Sequence, residues 1–153
     1  DWSSDVCSSD LEDHGKVLYD MLNNRAKGRK VFFIHGGTNV SEREEIRRIV
    51  ETESNAIIVG SVGVLSTGTN IVSLSNIIFA SPSKSKIRNL QSIGRALRVN
   101  SSKKSACLFD IADNFGWKQH DNFTLRHFHE RLKTYGEEKF KFKLYKISMK
   151  DKT

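Results

Sequence analysis

Three short, almost wholly apolar runs, Val31-Phe-Phe-Ile34, Ala56-Ile-Ile-Val59 and Asn76-Ile-Ile-Phe-Ala80, constrain the fold more than any other feature of this chain, and Ala106-Cys-Leu-Phe-Asp-Ile111 adds a fourth. Consecutive apolar residues leave a strand no face for water, so such runs belong in a parallel sheet covered on both sides. The segments between them have helical spacing. Val17, Leu18, Met21 and Leu22 mark a helix over 12–27, with Gly28 as its C-cap. Ser41 with Glu44 forms a capping box before Ile46, Ile49 and Val50. Leu125, Phe128, Leu132 and Tyr135 mark a later helix, and Lys139-Phe-Lys-Phe-Lys-Leu144 alternates at period two, as a closing edge strand armoured by lysine would. Strands alternating with helices predict an α/β fold in three layers, a mainly parallel sheet with helices on both faces.

The chain has 153 residues, enough for one core and too few for two. No apolar run approaches the ~18 residues of a membrane span, and no secretory signal pattern is present. Its two cysteines, Cys7 and Cys107, sit in unlike contexts and suggest no disulfide framework, which points to a cytoplasmic protein. Charge is unevenly placed. Residues 1–80 hold 8 Lys+Arg against 11 Asp+Glu, a balance of −3, whereas residues 81–153 hold 17 against 7, a balance of +10. The basic half suits a polyanion. The first eleven residues, Asp1 to Leu11, lack strand or helix periodicity and resemble translated sequencing-adapter read-through. They are read as foreign to the native protein, leaving 12–153 as one domain of a longer chain.

In parallel sheets ligands bind beyond the carboxyl ends of the strands, so the loops after Ile34, Val59 and Ala80 are the candidate functional loops. His35-Gly36-Gly37 follows the first, its small residues letting backbone N–H groups approach a phosphate. Ser61 and Ser66-Thr67-Gly68-Thr69-Asn70 follow the second, with hydroxyls suited to phosphate oxygens. After the third comes Gln91-Ser-Ile-Gly-Arg95-Ala-Leu-Arg98. At helical spacing Arg88, Gln91, Arg95 and Arg98 share a stripe beside an apolar one, aiming three guanidinium forks and an amide in one direction. Gly94 removes bulk inside that helix at a cost of ~1 kcal/mol relative to Ala. Among other constellations, His120, His127 and His129 lack the spacing and company of a zinc set. Asp110 and Asp113 suit surface or cap roles, and Trp117 suits core packing more than base stacking.

The ordered succession resembles motifs IV, V and VI of superfamily-two helicases, in their second RecA-like domain. Val31 to Gly37 with Ser41-x-Arg43 resembles motif IV and its sequel, Ser61 to Asn70 motif V, and Gln91 to Arg98 motif VI. Leu108-Phe-Asp-Ile-Ala-Asp113 and Thr124-Leu-Arg-His-Phe-His-Glu-Arg131 are similar to the phage UvsW-type DNA helicases, and the resemblance runs from residue 12 to about 149. It implies a RecA-like fold in which Arg95 and Arg98 face the γ-phosphate of ATP, with Arg98 as arginine finger and Gln91 coupling the nucleotide to the site. Gly68 and Asn70 would approach ATP, although many relatives carry Asp where this chain has Asn70. Gly36, Gly37, Ser61 and Thr67 would touch the nucleic-acid backbone. The chain contains neither a Gly-x-x-x-x-Gly-Lys-Ser/Thr phosphate loop nor an acidic magnesium box, so ATP with Mg2+ would be held jointly with an N-terminal RecA-like partner domain that carries the metal ligands. DNA is the implied partner and no membrane is. The alternatives are an RNA helicase or a restriction-system motor and, from another class, a nucleic-acid-binding module that does not use ATP.

Overall fold

A computed structural model describes residues 4–9, 12–53, 55–61, 64–65, 74–81, 107–115 and 121–148. Among the described residues eight elements follow one another: β1 (Ser4–Ser9), α1 (Glu12–Arg25), β2 (Lys30–Ile34), α2 (Val40–Thr52), β3 (Ala56–Gly60), β4 (Leu74–Ser81), β5 (Cys107–Asp110) and α3 (Phe123–Glu137). The strands form one sheet in the order β2-β3-β1-β4-β5, every pair parallel. All four predicted apolar strands are present. Among the described residues no helix is long and apolar enough to cross a membrane.

The middle strand is the departure. Residues 4–9, excluded from the fold on their sequence, pair on one side with β3 (Val6 opposite Ile58) and on the other with β4 (Val6 opposite Ile77). A strand here completes a sheet whose neighbours would otherwise present unpaired backbone donors and acceptors, a demand of the architecture that periodicity within the segment does not reveal.

Register assigns the faces. Ile57 and Val59 of β3 point to α1, where Leu18, Tyr19 and Leu22 pack with Val31, Phe33 and Ile78. Of the four predicted contact residues of α1, Val17 and Met21 remain exposed, and Tyr19 takes part instead. Gly15 lets this helix approach closely, since a Cβ there would lie 3.0 Å from Phe33 Cε2. Helix α1 ends at Arg25, short of the expected Lys27, and Gly28 is not its cap: at φ 87° it follows Lys27 at φ 44° in a turn closed by the Arg29 N–H on the Ala26 carbonyl at 3.0 Å.

The opposite face carries α2 and α3. Ile46 and Val50 of α2 bury against Ile34, Ile58 and Leu74, and Tyr135 of α3 buries with Ile77 and Phe79, flanked by Leu108 and Leu132. The cap of α2 is Asn39, not Ser41: its side chain accepts from the Glu42 N–H at 2.8 Å, and Ser41 already lies inside the helix. Asp110 corrects a second reading. Its carboxylate is neither surface nor cap but buried, taking Arg131 Nε at 2.8 Å, Arg131 Nη2 at 2.7 Å and the Tyr135 hydroxyl at 2.7 Å. Burial, reinforced by the adjacent Asp110 charge, holds the Tyr135 phenol well above its usual range. Finally, Lys139 to Leu144 forms no strand. Phe140 turns back onto Tyr135 instead.

Candidate functional site

The carboxyl ends of β2 and β3 lie side by side, Ile34 opposite Gly60. Their closeness requires Gly60, where a Cβ would come within 2.8 Å of the Ile34 carbonyl oxygen. The loops that follow therefore meet. Glu12, Gly15, Phe33, His35, Gly36, Ser61 and Val64 line a cleft of about 190 Å³ between them and the start of α1. Gly36 and Ser61, chosen from separate motifs, are brought together.

The turn at 35–38 is built before any ligand arrives. Thr38 Oγ1 accepts from the His35 N–H at 3.0 Å, and the Thr38 N–H donates to the His35 carbonyl at 3.1 Å. Arg43 on α2 spans the turn, its guanidinium donating to the carbonyls of Thr38, His35 and Gly36 at 2.8, 3.3 and 3.2 Å. Arg43 is thereby committed to holding the loop. The two glycines then separate in meaning. A Cβ at Gly37 would lie 3.0 Å from His35 Cε1, so packing inside the turn accounts for that glycine, whereas a Cβ at Gly36 would meet nothing within 4 Å. Position 36 is open toward the cleft, where a ligand backbone can approach.

Ser61 has one lone pair engaged, accepting from the Val64 N–H at 3.3 Å, while the Leu65 N–H donates to its carbonyl at 2.9 Å. The hydroxyl hydrogen can still donate to an anionic oxygen. Two groups sequence reasoning missed face the same space: His35 Nδ1 lies 2.8 Å from Glu12 Oε1 and 3.2 Å from the Gly37 amide nitrogen. The imidazole also stacks on Phe33, ring centroids 5.3 Å apart. No periodic signal links Glu12 to His35, because the contact depends on the packing of α1 on β2.

Thr67, Gly68, Asn70, Gln91, Arg95 and Arg98 lie outside the described residues, as do His120 and Trp117. Of the other histidines, His127 meets the Phe123 ring edge-on and His129 pairs with Asp121 at 3.4 Å.

An all-parallel sheet with helices on both faces and a donor-bearing cleft at its carboxyl edge defines the class as a RecA-like α/β domain. The helicase conserved C-terminal domain matches residues 7–100, and the chain belongs to that family. It is 33% identical over 146 residues to the ATP-dependent DNA helicase uvsW of Enterobacteria phage T4, covering 89% of this chain and 29% of that protein. The crystal structure of T4 UvsW superposes with a TM-score of 0.72 at 29% identity, over 90% of this chain and 29% of that one. The C-terminal domain of the DEAD-box protein Dbp5 shares the fold, with a TM-score of 0.66 at 18% identity over 88% of this chain and 71% of that one. The chain thus spans under a third of the length of its T4 relative.

Proposed function

We propose that the chain is the second RecA-like half of an ATP-dependent DNA helicase or translocase, acting in the cytoplasm of a bacterial or phage-infected cell in recombination, repair or fork remodelling. The meeting of Gly36 and Ser61 at the carboxyl ends of adjacent strands carries this reading, in a chain whose T4 relative is described as an ATP-dependent DNA helicase. Gly36 and Ser61, with Gly37 and Thr67, grip the sugar-phosphate backbone of one strand, and backbone contacts carry little sequence preference. The donor set of Gln91, Arg95 and Arg98 fits a polyphosphate, since guanidinium forks bind phosphate oxygens in pairs. Arg98 acts as the finger, and Gly68 and Asn70 stand beside the nucleotide. ATP supplies the hydrolysis that drives closing and opening against the partner half, which holds Mg2+. The residues of this chain fix the strand and offer positive charge at the γ-phosphate.

Residues 1–11 remain, in this proposal, foreign to the native protein. A middle strand of a parallel sheet is ordinarily a continuous apolar run, and Ser4-Asp-Val-Cys-Ser-Ser9 is not one. Recovering the same codons with different sequencing adapters would refute this.

The test of function joins the chain to an upstream RecA-like half. Arg98→Lys should cut ATP turnover sharply, toward the 10³-fold range of arginine-finger losses, with most DNA affinity retained. The chain alone should hydrolyse no ATP. Normal single-turnover hydrolysis with DNA binding lost would place the arginine helix on the strand and overturn the assignment.

A further inference from the structure

The alternating tail pairs with no strand among the described residues. Residues 139–148 read Lys-Phe-Lys-Phe-Lys-Leu-Tyr-Lys-Ile-Ser, four lysines with no acidic residue among them. The segment is anchored at one end. The Lys139 and Phe140 N–H groups donate to the carbonyls of Gly136 and Tyr135 at 3.1 and 2.9 Å. The rings of Phe140 and Phe142 each sit 6.4 Å from that of Tyr135. Beyond this anchor the chain turns to solvent. Leu144 is 63% exposed, Tyr145 80% and Ile147 84%, and all four lysines are exposed.

Apolar side chains left in water at this density call for an occupant. The lysines decide its chemistry. A second copy would set four ammonium groups against four, and a basic membrane-binding segment is ordinarily an amphipathic helix, which this segment is not. Alternate residues on extended backbone lie ~6.7 Å apart, comparable to the spacing of phosphates along an extended single strand. An exposed aromatic between such cations offers a face to any base.

We propose that residues 139–148 form a second contact for single-stranded nucleic acid, with Lys141, Lys143 and Lys146 on phosphates and Tyr145 stacked on a base. The inference rests on the nucleic-acid reading of the domain but not on the cleft.

Fluorescence anisotropy of the full 153-residue chain with labelled oligothymidylate, titrated across a range of salt, tests it. Substituting Lys141→Gln, Lys143→Gln and Lys146→Gln together should flatten the slope of log affinity against log salt by about 2, at ~0.7 for each phosphate released from a single strand. Tyr145→Ala should weaken binding about tenfold at fixed salt and Tyr145→Phe less than twofold, because the stacking ring is kept. These side chains are exposed, and an unchanged thermal melt confirms the fold. An unchanged slope overturns the proposal, as does loss of binding to phosphatidylserine vesicles with oligothymidylate binding intact. Ser61→Ala in the same assay reports on the cleft separately: a flattened tail slope with no effect at Ser61 refutes the cleft and supports the tail, and the converse refutes the tail.

Discussion

Helices α2 and α3 lie on the same face of one sheet, yet they are seated by opposite means. Under α2 the contact is aliphatic: Ile46 and Val50 against Ile34 and Ile58, with its charges kept outside as Arg47 pairs with Glu44 and Glu51 at 2.9 Å. Under α3 an ion pair is buried, Arg131 being 3% exposed and Asp110 8% on their side chains, with the Tyr135 hydroxyl closing the group. Apolar packing is non-directional and tolerates a change of partner. The bidentate pair accepts one geometry, so it fixes which turn of α3 faces β5 while adding little net stability over an apolar substitute. The first seat supplies stability and the second supplies register.

The largest expected effect tests the second seat. Asp110→Ala leaves a buried guanidinium without its carboxylate and should cost about 3–5 kcal/mol in urea unfolding. Replacing both partners, Asp110→Leu with Arg131→Met, should recover most of that, and a double variant as unstable as the single one would show that the pair contributes more than geometry. Next comes Val50→Ala under α2, at about 2 kcal/mol for a truncated core side chain. A loss matching that of Asp110→Ala would erase the contrast between the seats.

Tyr135→Phe removes one hydrogen bond to a charged acceptor and should cost about 1.5 kcal/mol near neutral pH. Because the folded-state pKa of Tyr135 is raised, chiefly by burial, its contribution is complete below the unfolded value of about 10 and is lost as pH rises beyond it. The gap between the native chain and the variant should therefore narrow above that pH. A gap that stays constant through alkaline titration would mean the phenol is not held neutral by the fold. Smallest is Arg47→Gln, which should leave the urea midpoint close to that of the native chain, since surface ion pairs contribute little. The Glu44 hydrogen bond foremost, with the Glu51 charge, raises the Arg47 pKa, but the group lies on the outer side of α2, within reach of water. A drop in midpoint as large as that of Val50→Ala in the same urea series would place part of the α2 seat on its outer surface.

The same division decides what could be read from the chain. Val31–Ile34 and Ala56–Val59 were legible because an unbroken apolar run has one stable place in a soluble domain. The turns after them were legible because parallel strands deliver their following loops to one edge. Gly36 and Ser61 meet for that reason. Asp110 was not legible, since a carboxylate after a strand carries no mark of a guanidinium 21 residues further on. Neither was the Glu12–His35 contact, which exists once α1 lies on β2. The tail misled for a related reason: period two is necessary for a strand, but a strand also needs a neighbour to bond, and Lys139–Leu144 has none among the described residues. The arginine helix, the sharpest motif in the sequence, lies outside the described residues, so its role stands on sequence and resemblance.

The middle position of β1 has a consequence for how the molecule is made. Its partners on β3 and β4 lie about fifty and about seventy residues downstream, whereas β2 and β3 are separated by roughly half the shorter distance. Local pairings close quickly and distant ones slowly. The strand that comes earliest of the five is therefore the last that can be locked in place, and until it is, β3 and β4 each present a bare edge to any passing chain. Folding of the 153-residue chain should be rate-limited by that insertion, and crowded, unfinished molecules should aggregate through those two edges.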